Sequence, residues 1–297
     1  MDALIQKALD MWRDSVPTDP TVENWRVATV ELYEKFGSHD DAIVSWLDAD
    51  GVPVLRIEAP GARDDQTIVH FHSGGYVMGN AEIYKEYAYR LSAATHRPVL
   101  IPDYRLAPEH LFPAPVEDAL TVYRWLTKSI DPKRIVITGD SAGGGLAIAL
   151  LVALRDAGDE LPAALSVQSP LTDLAVEGES MVYNKDTDPC VSHDLALDMG
   201  VVYIGDRDPK QTPLGSPLYA DLHGLPPVQV QASSSETLLD DSTRRLVKKI
   251  TESGGIADLT LYADVPHVWA VFPFLKESAA VMSAVADFLD EHVAVAV

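Results

Sequence analysis

The chain has 297 residues, 47% of them hydrophobic, with 45 acids against 23 bases and a formal charge of −22. That length allows one large domain or two small ones, and that hydrophobicity supplies an extensive core. So strong a negative charge argues against nucleic acid or an anionic membrane as partner. The acids are spread along the chain, which predicts a highly soluble surface; adaptation to high salt is the sharper alternative, and composition leaves both open. The single cysteine, Cys190, excludes an internal disulfide and fits a reducing, cytoplasmic compartment.

Residues 1–20 mix acids and bases with no long apolar run, which predicts neither signal peptide nor membrane span. Two helices are expected before residue 38, the first amphipathic with Leu4, Ile5, Ala8, Leu9 and Trp12 on one side. Residues 43–47 and 52–59, joined by Asp50-Gly51, read as an antiparallel hairpin. Strand 66–72 runs into Ser73-Gly74-Gly75-Tyr76; helix 83–95, strand 98–102, helix 116–129 and strand 134–137 follow. Beyond it come a helix over 145–154 and a strand over 164–169. The segment 171–216, rich in Asp and Pro, reads as an insertion over the sheet edge. Strand 227–232, helix 238–253, strand 258–262 and helix 277–293 complete the alternation. Such a pattern predicts one α/β domain over 1–297, a mainly parallel sheet with helices on both faces. No repeat or linker divides it.

The organising stretch is Thr138-Gly139-Asp140-Ser141-Ala142-Gly143-Gly144, whose five-residue turn Gly139-x-Ser141-x-Gly143 lies between a buried strand and a buried helix. This is the context of a nucleophile elbow, where small neighbours let strand and helix close on a serine held above the sheet. A serine hydroxyl is a weak nucleophile and needs a base, and the base needs an orienting acid. His267, five residues past the last strand, stands where the base is expected. Glu236 follows the preceding strand and is the expected acid, with Asp240 as its rival; Asp241 and Asp264 fit less well. The oxyanion donors are expected to be the backbone N–H groups of Ala142, Gly74 and Gly75, with His72 orienting the glycine loop.

Together these residues resemble the hormone-sensitive-lipase-like branch of the α/β hydrolases, the GDXG lipolytic enzymes. The resemblance rests on Gly139-Asp140-Ser141-Ala142-Gly143-Gly144, on Asp103-Tyr104-Arg105-Leu106-Ala107-Pro108-Glu109-His110 and on Phe112-Pro113-Ala114. Ser216-Pro217-Leu218-Tyr219-Ala220-Asp221-Leu222 and Leu238-Leu239-Asp240-Asp241 extend it. It implies an α/β-hydrolase fold with a helical cap from about 1–38 and about 171–216. The implied activity is hydrolysis of short- to medium-chain acyl esters by Ser141, His267 and an acid at 236, with no metal or organic cofactor. Lactone hydrolysis is the main alternative, and a ligand receptor on the same fold is a second; His267 speaks against the receptor. A homodimer through an exposed edge strand is also implied.

Two positions depart from the family pattern. His72-Ser73-Gly74-Gly75 stands where His-Gly-Gly-Gly is usual, and Glu236 stands where aspartate is commoner. Tyr76, Met181 and Tyr183 are the expected substrate-binding side chains, with Trp12, Trp25, Leu195, Met199 and Tyr203 as further candidates for an acyl pocket.

Overall fold

The computed structural model describes residues 2–293. Helices α1 (Ala3–Ser15) and α2 (Val22–Glu34) come first, capped by Asp2 and Thr21, whose side chains accept the N–H groups of Leu4 and Asn24. The hairpin β1 (Ile43–Ala49) and β2 (Val52–Glu58) follows. Asp50 and Gly51 both have positive φ there, 52° and 98°, as a tight two-residue turn with the strands' own twist requires. The rest alternates: β3 (Thr67–Phe71), α3 (Lys85–Thr95), β4 (Val99–Pro102), α4 (Ala114–Leu126), β5 (Ile135–Asp140), α5 (Ala142–Ala157) and β6 (Ala164–Gln168). After the short α6 (Ser180–Tyr183) and α7 (His193–Ile204) come β7 (Val228–Ser233), α8 (Arg245–Glu252), β8 (Ala257–Tyr262) and α9 (Lys276–His292).

The eight strands form one sheet in the order β1-β2-β4-β3-β5-β6-β7-β8. Only β2 runs against its neighbours; from β4 to β8 every pairing is parallel. Strands β3 to β7 are buried along their whole length, the condition of a parallel sheet covered on both faces. One face is covered by α4, α5 and α8, and the other by α1, α3 and α9. Every residue of α5 from Ala142 to Leu154 is buried, so this helix needs no polar side.

Two elements differ from the sequence expectation. Helix α5 begins at Ala142 rather than Gly145. Its glycines, poor helix formers, are tolerated because Gly143 abuts Phe71 O of β3 while Gly144 and Gly145 abut Pro170 and Leu171 past β6, and none has room for a side chain. The helix expected over 238–253 is broken into a 3₁₀ turn (Thr237–Leu239), a π turn (Asp240–Arg244) and α8. Side chains from the 171–216 segment take its early amides. Thr237 N–H donates to Asp188 Oδ2 at 2.9 Å and Asp240 N–H donates to Ser180 Oγ at 2.8 Å. No described helix is long and apolar enough to cross a membrane.

Candidate active site

Strands β3, β5, β7 and β8 lead directly into the loops that carry His72, Ser141, Glu236 and His267. Their carboxyl ends lie along one side of the parallel sheet, where open α/β folds hold their ligands. Ser141 sits between β5 and α5 with φ 50° and ψ −121°, a conformation that costs an L-residue about 1–3 kcal/mol. The surrounding backbone holds it there. Its N–H donates to Gln168 O at 3.0 Å, and its carbonyl accepts the N–H groups of Gly145 and Leu171 at 3.1 and 2.8 Å. A Cβ on Gly143 would lie 2.0 Å from Phe71 O, and one on Gly139 would lie 2.5 Å from Gly143 O. Only glycine closes this turn.

The geometry joins the three side chains expected from the sequence. Ser141 Oγ–H donates to His267 Nε2 at 2.9 Å, and His267 Nδ1–H donates to Glu236 Oε2 at 2.9 Å. The second Glu236 oxygen accepts Ser233 N–H at 3.2 Å, which takes up the reach of the extra methylene. Ser141, His267 and Glu236 are 8%, 2% and 0% exposed, so bulk water competes little for these bonds. Burial by itself would lower the His267 pKa. The hydrogen bond to Glu236, with the charges of Glu236, Asp188 and Asp140, outweighs it and leaves the imidazole above its ordinary value. The rival acid faces elsewhere: Asp240 Oδ2 accepts from the Tyr183 hydroxyl at 2.5 Å and Oδ1 from Arg244 at 2.8 Å. The Asp241 side chain lies outside the described residues.

Among the described residues, the N–H groups of Gly74, Gly75 and Ala142 donate to no protein acceptor. They are therefore available to an anion. Gly74 has φ 123°, and a Cβ there would lie 2.1 Å from Met78 O; at Gly75, φ 61°, it would lie 2.1 Å from Met199 Sδ. His72 braces the loop from behind. Its Nδ1–H donates to Ser73 O at 2.7 Å, its ring stacks on Tyr104 at 4.2 Å, and burial lowers its pKa. A neutral imidazole follows.

Ser141 and His267 line a cavity of about 70 Å³. Its apolar walls are Trp12 and Val16 at the end of α1, Trp25 of α2, Met78, and Leu195 and Met199 of α7. Trp12, Trp25, Leu195 and Met199 were expected there. Tyr76, Met181 and Tyr183 were expected too, and the structure corrects all three. Tyr76 is buried away from the cavity and stacks on Tyr203 at 3.9 Å, which removes Tyr203 as well. Met181 packs into the hydrophobic core. Tyr183 is half exposed, with its hydroxyl on Asp240. Each was chosen for nearness in sequence or for residue type, and neither reports where a side chain points. Tyr33, Ser73, Cys190, Val191 and Val268 also line the cavity and carry no sequence signal for it. Asp188 was missed as well: besides Thr237, it accepts Cys190 N–H at 2.9 Å and so anchors the loop beside Glu236. Among the described residues no three His, Cys, Asp or Glu side chains gather as metal ligands.

A strained serine at the strand–helix turn, a paired histidine and acid behind it, and free amides in front define an α/β hydrolase. The profile of the alpha/beta hydrolase fold family matches residues 68–271, and the chain belongs to that family. Within it the likeness is to bacterial esterases of the hormone-sensitive lipase group. A crystal structure of one such esterase superposes with TM-score 0.96 at 41% identity, covering 99% of both chains. EstE5, whose crystals were soaked with p-nitrophenyl butyrate, superposes with TM-score 0.93 at 34% identity, covering 99% of this chain and 100% of that one. An acetyl-hydrolase of Streptomyces hygroscopicus is 38% identical over 90% of this chain and 89% of its own. The chain is a carboxylic ester hydrolase of the hormone-sensitive lipase family.

Proposed function

We propose that the protein hydrolyses carboxylic esters of small acyl groups, acetyl to butyryl, through an acyl-enzyme on Ser141. The observation that carries this reading is the Glu236–His267–Ser141 hydrogen-bond chain opening onto an apolar cavity of about 70 Å³. That volume is about half of a ~150 Å³ cavity that admits benzene, which favours a short acyl chain over a long one.

His267 removes the Ser141 proton as Oγ attacks the ester carbonyl. The carbonyl oxygen takes up negative charge and accepts hydrogen bonds from the Gly74, Gly75 and Ala142 N–H groups, each worth about 3 kcal/mol in the transition state. The positive end of α5 adds to this stabilisation. The C–O bond to the alcohol breaks, and the alcohol leaves with the proton from His267. Water, deprotonated by His267, then attacks the acyl-enzyme; the acid departs and Ser141 recovers its proton. Glu236 holds the imidazole in the tautomer whose Nε2 accepts, and it stabilises the imidazolium. The α1, α2 and 171–216 segments act as the cap that shapes the acyl site.

The test is kcat/KM for p-nitrophenyl acetate, butyrate, octanoate and a γ-lactone, with Ser141→Ala alongside. Acetate and butyrate are expected to lead, octanoate to fall at least about tenfold below them, and the variant to lose about 10⁶-fold. A preference for octanoate overturns the acyl size, a preference for the lactone overturns the substrate class, and an active Ser141→Ala overturns the mechanism.

A further inference from the structure

The glycine loop begins with a serine whose hydroxyl is fully engaged. Ser73 Oγ lies 2.6 Å from the Tyr84 hydroxyl and 3.2 Å from the Tyr33 hydroxyl. The Tyr84 oxygen also accepts Ser73 N–H at 3.0 Å and lies 2.6 Å from Asp140 Oδ2. Asp140 Oδ1 is 3.2 Å from His70 Nε2, and His70 Nδ1 is 3.0 Å from Thr138 Oγ1. Apart from the half-buried Ser73 the cluster is buried, and it joins α2 of the cap, the loop before α3, the glycine loop and the residue preceding Ser141.

Counting protons gives the cluster a direction. Tyr84 has one O–H, and a carboxylate only accepts, so Tyr84 donates to Asp140. Its oxygen accepts from Ser73 N–H, and its hydroxyl also points in donor geometry at Ser73 Oγ. The Ser73 oxygen also accepts from Tyr33, whose hydroxyl also lies 3.2 Å from that of Tyr84. Burial and the charge of Asp140 push both phenols upward in pKa, so both remain donors.

We propose that Tyr33 is a positioning residue for the oxyanion hole: through Ser73, the seating of cap helix α2 sets the direction of the Gly74 and Gly75 N–H groups. A cap without this hydroxyl would still cover the cavity, because the Tyr33 ring packs on Tyr84 and Phe36 at 5.3 and 6.0 Å. Only the hydrogen-bonded tie would be lost. The glycine usual at position 73 in the family could not make that tie, so the serine and the tyrosine act as a pair. The inference rests on Gly74 and Gly75 being oxyanion donors, as proposed above.

The test compares Tyr33→Phe, Ser73→Gly and the double variant with the wild type. The readouts are kcat and KM for p-nitrophenyl acetate, the rate of phosphorylation by diethyl p-nitrophenyl phosphate, and the thermal midpoint. Tyr33→Phe is expected to lower kcat about fivefold with KM within about twofold, and to slow phosphorylation in step, because both reactions place an oxyanion in the same hole. Ser73→Gly is expected to do the same, and the double variant to be no slower than Ser73→Gly. Multiplying effects, an unchanged kcat, or a change confined to KM or to the thermal midpoint would overturn the proposal. Should Tyr33→Phe fail to fold, Ser73→Ala, which removes the same tie and keeps the phenol, carries the same expectation. An active Ser141→Ala would instead remove the underlying reading.

Discussion

His267 is pulled in two directions, and the balance sets the working pH. Burial favours the neutral ring, while Glu236 at 2.9 Å favours the imidazolium and prevails. The free base is the active form, so kcat/KM falls as pH drops through a value above the ordinary 6.5 of histidine. Glu236→Gln removes the charge and leaves the burial. The acid limb of the kcat/KM profile should then move to lower pH while its plateau drops about 10⁴-fold, since the amide no longer fixes the tautomer. An acid limb that stays in place would mean that Glu236 does not face the base. That Glu236 rather than Asp240 faces His267 could be read from its place directly after β7, ahead of the expected helix. Its physical basis could not, because it lies in the Ser233 amide on one side and in Tyr183 and Arg244 drawing Asp240 off on the other.

Among the elements, Arg26 adds a second clasp between the cap and the sheet domain. Arg26 of α2 donates to both Glu109 oxygens at 2.7 Å, to Val77 O at 2.8 Å and to Ala107 O at 2.9 Å. The charge pair is largely exposed and contributes about 1 kcal/mol at most. The two carbonyl bonds fix where α2 sits. Arg26→Met should therefore raise KM several-fold with a smaller change in kcat. Equal losses in both would place Arg26 in the chemistry instead. The arginine holds Glu109 down to about 2, so this contribution is complete above the usual glutamate pKa and is lost only as pH falls through about 2. The clasp persists across the neutral range. At the elbow, Gly143→Ala would drive a methyl group against Phe71 O and should cost about 3 kcal/mol or more, read as a lowered denaturation midpoint or insoluble protein.

For the whole molecule, a charge of −22 repels itself in the folded state more than in the expanded chain. Salt screens that repulsion beyond a Debye length of about 8 Å at physiological ionic strength. The thermal midpoint is expected to rise between 20 mM and 500 mM sodium chloride; a fall would mean that ion pairs such as Arg97–Asp290 outweigh the net charge. Strands, helices and their order were legible because burial on a parallel sheet imposes apolar runs, and turns impose Gly, Asp and Pro at fixed places. The elbow was legible for a related reason, since backbone crowding around Ser141 admits only small residues. The cavity was not. Its walls come from α1, α2, residues 190–199 and the glycine loop, and a wall is defined by the direction of a side chain after packing. Tyr76 turns into the core, and Tyr33, which nothing in the sequence singles out, turns toward the site. Local periodicity and turn chemistry determined the scaffold and the order of its reactive groups; the shape of the space around them was decided only by long-range contacts, which no short stretch of the chain encodes.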